Sequence, residues 1–338
     1  MRKFYVNVTG GLGYNIAFAS FATALKKKHP DDFKIYVCSP YWDVFECCPA
    51  IDGVYKPNEL KDLIFDAEAN NGELVIHRLY DMDGFIKKRL TYSQAWAELL
   101  HVQWEDEVGS GVTSMLEPYS KFPNLRQGVE DVKRTMLDKG YTDYIIMQFT
   151  GGQSPLTNPP TVTDEKGNQV PDWGKVPYDY DNEPLKRHYP IDMAQEFVDR
   201  FSKEHPSTAM LFYQLPNEPL PQNQAIFRFT IPYLSYYELA KDPMCRGTVS
   251  IDSSLQHLVA GVTRSLVIWG HSVNCEGDKL IQLPFGYSYN INIIQPCRRS
   301  DILFFTALGP SGAKIEYITP EKLLEHVNKL YPSSGDAE

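Results

Sequence analysis

The stretch Thr248 to His271, TVSIDSSLQHLVAGVTRSLVIWGH, constrains the fold of this chain more than any other. Val249 to Ile251 is a short β-branched run that reads as a strand. Asp252, Ser253 and Ser254 follow, and each side chain can accept from a free backbone N–H and so cap a helix. Leu255, Leu258, Val259 and Val262 give that helix an apolar face at i, i+3, i+4 and i+7. Ser265 to Trp269 is a second apolar strand, ended by Gly270-His271. The spacing therefore predicts strand, helix and strand of an α/β unit. The helix N-terminus would direct free N–H groups and a positive dipole end beyond the first strand, a setting that suits a phosphate. His257, one turn in, would reach the same anion. The same pattern suits a plain helix cap, with His257 as a surface or core residue.

The opening of the chain repeats this architecture. Phe4 to Val8 reads as a strand, Thr9 to Gly13 as a tight loop, Asn15 to Lys28 as an amphipathic helix and Phe33 to Cys38 as a second strand. Lys26 to His29 complement the dipole at the helix end, and Pro30 stops it. A short helix is expected in Pro40 to Cys48, strands at Asp52 to Tyr55 and Leu74 to Leu79, and helices at Gln94 to Val102 and Asn124 to Lys139. Tyr144 to Phe149, YIIMQF, then starts the pattern again and ends at Thr150-Gly151-Gly152. Beyond it come a helix (Ile191 to Lys203), strands (Ala209 to Gln214 and Ile226 to Phe229), a helix (Ser235 to Ala240), an edge strand (Leu280 to Leu283) and a closing helix (Pro320 to Leu330). Pro155 to Pro184 is rich in Pro, Asp, Asn and Gly and has no period, so it reads as a long loop. Two α/β domains are expected, 1–140 and 141–338, the second carrying an irregular insertion at 155–185.

Composition bounds the class. At 338 residues, 43% hydrophobic and 22% charged, the chain suits a globular two-domain protein. No run of 18 apolar residues predicts a transmembrane helix. MRKFYVNVTGG enters a strand directly, so no secretory signal is expected. The six cysteines form no CxxC pair, which fits reduced thiols and a cytoplasmic location. A net charge of −10 argues against a chain wrapped in nucleic acid, while leaving room for a local basic face.

Several chemistries lack their motifs. Thr9 to Gly13 is followed by no Gly-Lys-Ser/Thr, so it is no P-loop. Its G-x-G-x-x-G is incomplete, and no acidic residue closes the second strand. It is a loop whose backbone could approach a ligand, or a tight βα turn. No Gly-x-Ser-x-Gly elbow occurs. His257 and His271 lack a third ligand at metal spacing, and Asp179-Tyr180-Asp181 falls in the irregular insertion.

Asp252 to Gly261, D-S-S-L-Q-H-L-V-A-G, resembles the D-T-G-L-x-H-L-x-A-A signature of the ADP-heptose:lipopolysaccharide heptosyltransferases, a family of inverting GT-B glycosyltransferases. Ser253 and Ser254 stand where the family has Thr and Gly. Thr150, at the end of YIIMQF, matches a family Thr or Ser, and Arg187-His188-Tyr189-Pro190 is similar to its K-x-W-P. The resemblance implies a GT-B fold, two Rossmann-like domains facing across a cleft. It implies a nucleotide-diphosphate sugar as co-substrate, with no further cofactor and no metal. The donor would meet Thr150, Gly151, Arg187, Asp252, Ser253, Ser254, His257, Gly270 and His271, where an arginine can clamp a diphosphate through paired N–H bonds. The acceptor would lie by Gly10, Gly11, Gly13 and Tyr14.

The family's opening loop reads L-G-D and its aspartate is the general base; here it reads Leu12-Gly13-Tyr14. An inverting transfer needs a group to take the acceptor's proton. Asp81 and Asp83, after the strand Leu74 to Leu79, are the expected replacements, and Asp43 follows the second strand less directly. The family's default acceptor is an anionic glycan, lipopolysaccharide core, which Lys87-Lys88-Arg89 would greet. A viral-type transferase acting on a hydroxymethylated base of DNA is a second possibility. A catalytically inactive nucleotide- or sugar-binding module is a third. Oligomeric state is left open.

Overall fold

Alternating and continuous apolar runs become two parallel sheets. The computed structural model describes residues 1–82, 90–104, 115–151, 161–163, 169–171, 188–215, 218–269, 274–276, 279–282, 290–294, 297–298, 314–315 and 317–330. The first half runs β1 (Arg2–Asn7), α1 (Leu12–Lys28), β2 (Phe33–Cys38), α2 (Trp42–Glu46), β3 (Gly53–Tyr55), α3 (Leu60–Ala69), β4 (Glu73–Val75), α4 (Tyr92–Leu99) and α5 (Leu125–Asp138). The second runs β5 (Asp143–Gln148), α6 (Ile191–Glu204), β6 (Thr208–Phe212), β7 (Ile226–Phe227), α7 (Tyr233–Lys241), β8 (Cys245–Ile251), α8 (Ser254–Leu258), β9 (Ser265–Trp269), β10 (Asn290–Ile294) and α9 (Pro320–Leu330).

The first sheet has the order β3-β2-β1-β4 and the second β10-β9-β8-β5-β6-β7, and every ladder in both is parallel. Read from β7, the second sheet has the doubly wound order in which ligands bind beyond the carboxyl ends of the strands, where the winding reverses. That reversal falls between β5 and β8.

Both faces of the second sheet are covered, as a parallel sheet requires. Alternate residues of β5 serve two cores. Tyr144 and Ile146 face a core shared with the first half, while Ile145 and Met147 face α6 and α9 through Phe197, Phe201, Leu323 and Val327. The shared core joins the two halves, since it also contains Phe4, Val6, Phe18, Trp96, Val132, Leu234 and Leu255.

Helix α1 departs from the amphipathic pattern expected of it, because Tyr14 through Ala22 are all buried. It lies against the first sheet on one side and is met by α4 and by α8 of the other half. Helix α8 is only five residues long, ending at Leu258 rather than continuing to Val262; Gly261 turns the chain with φ +77°. The strand expected at Leu74 to Leu79 is confined to β4. Residues Lys279–Gln282 pair with Asn274–Glu276 in a hairpin, and β10 takes the sheet edge instead. The unperiodic insertion contains a hairpin, Thr161–Thr163 with Gln169–Pro171. Among the described residues no helix is long and apolar enough to cross a membrane, and Cys38, Cys47, Cys48 and Cys245 are free thiols.

Candidate functional site

The loops leaving β5 and β8 meet at the winding reversal. Gln148 ends β5, and its Nε2 donates to Ser253 Oγ at 3.0 Å. Gly151 lies so close to the second loop that a Cβ on it would stand 2.8 Å from Ser253 Oγ. Ser253 is the residue before α8, in extended conformation, and its side chain makes no cap bond. Asp252 is buried, and its Oδ1 accepts from Gln256 Nε2 at 2.6 Å.

A third strand end completes the crevice. After β6, Tyr213 OH lies 3.2 Å from Ser254 Oγ. Gln214 Nε2 donates to Thr150 Oγ1 and, at 3.1 Å, to the Pro219 carbonyl. Glu218 is buried with 6% exposure. Its Oε2 accepts from the Leu215 N–H at 2.9 Å, and the Thr150 hydroxyl pairs with the same carboxylate. Burial raises the Glu218 carboxyl pKa, opposed by these hydrogen bonds and by the nearby Arg228 cation. Among the described residues, two acceptors here are buried without a partner, Gln148 Oε1 and Gln214 Oε1. The Pro219 carbonyl can only accept, so it fixes the Gln214 amide with its oxygen turned away. An unmet buried acceptor costs about 1–3 kcal/mol, which a hydroxyl or amino group of a ligand would recover.

The opposite wall comes from the first half. Gly10 has φ +124°, in the left-handed region that favours glycine. Asn15 Nδ2 donates to the carbonyls of Gly10 (3.2 Å) and Gly11 (2.9 Å), and Ser39 Oγ donates to Asn15 Oδ1 at 2.6 Å. This network holds the glycine loop against the end of β2. Gly11 has open space where a side chain would be. Gly13 packs directly on His257, which is buried at this seam beside Tyr92.

The structure thus brings Thr150, Gly151, Ser253 and Ser254 together, with Gly13 and His257 closing the seam between the halves. Tyr14 is different. Its ring is buried against Tyr92 and Trp96, and its hydroxyl accepts from the Leu79 N–H at 3.1 Å. The position that carries an aspartate in the resembling family is a core residue here. Asp81 sits exposed on a short 3-10 turn, where Oδ2 accepts from the Arg78 N–H at 3.0 Å and faces the Arg78 guanidinium at 3.9 Å. Asp83, Arg187, Gly270 and His271 lie outside the described residues. Two positions after Arg187, the Tyr189 N–H donates to the Phe149 carbonyl at 2.8 Å, so the chain runs beside Thr150 there.

Gln148, Tyr213, Gln214 and Glu218 were not singled out from the sequence. The available signal was a glutamine ending each of two apolar strands, YIIMQF and AMLFYQ, where burial would otherwise favour an apolar residue.

No family model matches the sequence, and no curated protein matches it significantly. Solved structures resemble it over nearly its whole length. A glycosyl transferase of family 9 from Veillonella parvula shares 13% identity at a TM-score of 0.56, over 98% of this chain and 97% of that one. The E. coli ADP-heptose lipopolysaccharide heptosyltransferase II shares 12% at 0.52, over 98% of each chain. An E. coli heptosyltransferase solved with ADP shares 9% at 0.51, over 98% of this chain and 100% of that one. The likeness is one of fold. Two Rossmann-like sheets with a crevice at their strand ends define the GT-B architecture, as the Asp252 block implied.

Proposed function

We propose that this chain is a glycosyltransferase that moves a sugar from a nucleotide-diphosphate sugar to a hydroxyl acceptor, with inversion and without a metal ion. The observation that carries the reading is the crevice between β5, β6 and β8. It gathers the hydroxyls of Thr150, Tyr213, Ser253 and Ser254, the amides of Gln148 and Gln214 and the Glu218 carboxyl, two of its acceptors are unmet among the described residues, and it occupies the ligand position of a doubly wound sheet. Glu218 and the two glutamine oxygens suit the hydroxyls of a ribose or hexose. Asp252, Ser253 and Ser254 border the same space, and Arg187 with nearby backbone N–H groups would carry the charge of the leaving diphosphate. The acceptor enters from the glycine loop, by Gly10 and Gly11. A glycan is the first acceptor to test, in keeping with the heptosyltransferase fold.

The test is release of nucleoside diphosphate from a panel of ADP- and UDP-linked sugars that includes ADP-heptose. It is run with lipopolysaccharide core oligosaccharide, hydroxymethylated duplex DNA or water as acceptor. Turnover in EDTA is expected. Donor binding without release on any acceptor would favour an inactive binding module, and transfer to the DNA alone would replace the glycan. Arg187→Ala is expected to weaken donor affinity by about 1.5–3 kcal/mol, the worth of hydrogen bonds to a charged group. Unchanged affinity in calorimetry would remove it from the site.

A further inference from the structure

Asp43 opens α2, just beyond the carboxyl end of β2, and is half-buried on the seam between the halves. Its Oδ1 is held from both sides. The Val44 N–H donates to it at 3.1 Å, and so does the hydroxyl of Tyr233, the first residue of α7 in the other half. Its Oδ2 accepts from no group among the described residues. Tyr41, two residues earlier, stacks edge-on to Tyr233 at 6.4 Å, and its hydroxyl accepts from the N–H of Leu12 in the glycine loop. Beyond Tyr233 lies Tyr213, whose hydroxyl pairs with Ser254 of the donor loop. Asp43 therefore lies between the two loops that would present acceptor and donor. It is a carboxylate with one oxygen fixed and the other free.

We propose that Asp43 is the catalytic base that stands in for the carboxylate displaced by Tyr14, an assignment that rests on the glycosyltransferase reading. The acceptor hydroxyl gives its proton to Asp43 Oδ2 as its oxygen bonds to the anomeric carbon. The bond from that carbon to the diphosphate oxygen breaks, and its electron pair leaves with the nucleoside diphosphate. Two donors on Oδ1 fix the carboxylate plane, which is what a base acting within hydrogen-bond reach needs. The neighbouring groups leave it free to act. Burial pushes the Cys47 thiol up to about 12 and raises the Tyr41 and Tyr233 phenols, so all three stay neutral. Glu46, next along α2, adds a like charge, and Lys121 an opposite one nearer Cys47. Asp81, by contrast, is closed on the turn that bears it.

The full-length chain is assayed for diphosphate release from ADP-heptose, ADP-glucose and UDP-glucose, with donor binding followed separately by calorimetry. Asp43→Asn is expected to lower kcat by about 10²-fold or more, the scale of general base catalysis, with donor affinity kept. Asp81→Asn should stay near the wild-type rate. Tyr233→Phe keeps the base but removes one of the two donors that fix its carboxylate plane, so kcat should fall by less than in Asp43→Asn, with donor affinity kept. Wild-type turnover by Asp43→Asn would overturn the assignment. So would equal losses of kcat in Asp43→Asn and Tyr233→Phe, which would make the pair a strut between the halves. A wild type that binds none of the three donors would instead overturn the glycosyltransferase reading, and the assignment with it.

Discussion

A Cβ on Gly13 would stand 2.7 Å from Cδ2 of His257, so the first turn of α1 and the short helix α8 meet with no room for a side chain. Gly13 has no left-handed backbone to excuse it; the close approach of the other half is the reason it is glycine. In an open helix, alanine would be better by about 0.8–1.0 kcal/mol. Here Gly13→Ala should instead destabilise by about 1–3 kcal/mol, the usual cost of overpacking. In a His257→Ala background the penalty should vanish or reverse. Denaturant unfolding of the four chains gives the coupling energy, and an equal cost in both backgrounds would show that His257 is not what excludes the side chain.

Tyr14 supplies the second test of that seam. Its hydroxyl is the acceptor for the N–H of Leu79, which is fully buried. Tyr14→Phe should cost about 1–3 kcal/mol by leaving that donor unmet, while nucleotide-sugar affinity stays as it was. Tyr14→Asp, which places the aspartate of the resembling heptosyltransferases here, should not raise activity and should destabilise more, since it buries a charge among Tyr92 and Trp96. A stable, more active Tyr14→Asp chain would return the base to this loop.

What the sequence discloses follows from the range of each interaction. The strands β1, β2, β5, β6 and β9 and the helices α6 and α9 are legible because an apolar period is a local property. Helix α3 is not, since only Leu63 and Ala67 are buried while Ile64 and Phe65 face outward, which blurs the stripe. Asp252 has the residue type and position of a cap, and the sequence did not disclose that its Oδ1 accepts from Gln256, one turn on. The loop Gly10 to Tyr14 was legible as a close approach of backbone, though what approaches it is His257 from more than 240 positions away. Gln148, Gln214 and Glu218 become a site only when β5, β6 and β8 are set side by side. Their meaning lies in contacts between strands rather than in any run of residues.

The unmet oxygen of Gln148 lets the proposed donor binding be tested apart from the fold. Gln148→Met keeps the volume and removes both the orphan acceptor and the bond to Ser253. Stability should hold within about 1 kcal/mol, as volume-conserving changes usually allow. Affinity for the nucleotide sugar should fall about 10-fold, the worth of one or two hydrogen bonds. A chain that binds donor as tightly as wild type would take Gln148 out of the crevice.

Glu218 should trade stability for binding in a pH-dependent way. Burial is the largest cause of its raised pKa, outweighing the Leu215 and Thr150 hydrogen bonds and the Arg228 charge. The folded chain therefore keeps this proton to higher pH than the unfolded chain, whose glutamate titrates near about 4.3. Between the two values folding takes up a proton, so the group's favourable contribution is complete below the unfolded pKa and is lost as pH rises through the folded one. Glu218→Gln has the shape of the protonated form and no charge to bury. Its Tm should match wild type near pH 4 and exceed it increasingly as pH rises through the raised folded pKa, while donor affinity falls where the wild-type group is ionised. Thermal unfolding of both chains from pH 4 to 8 measures the difference directly. A gap that stays constant across that range, or that narrows as pH rises, would mean that ionising Glu218 carries no burial cost in the fold.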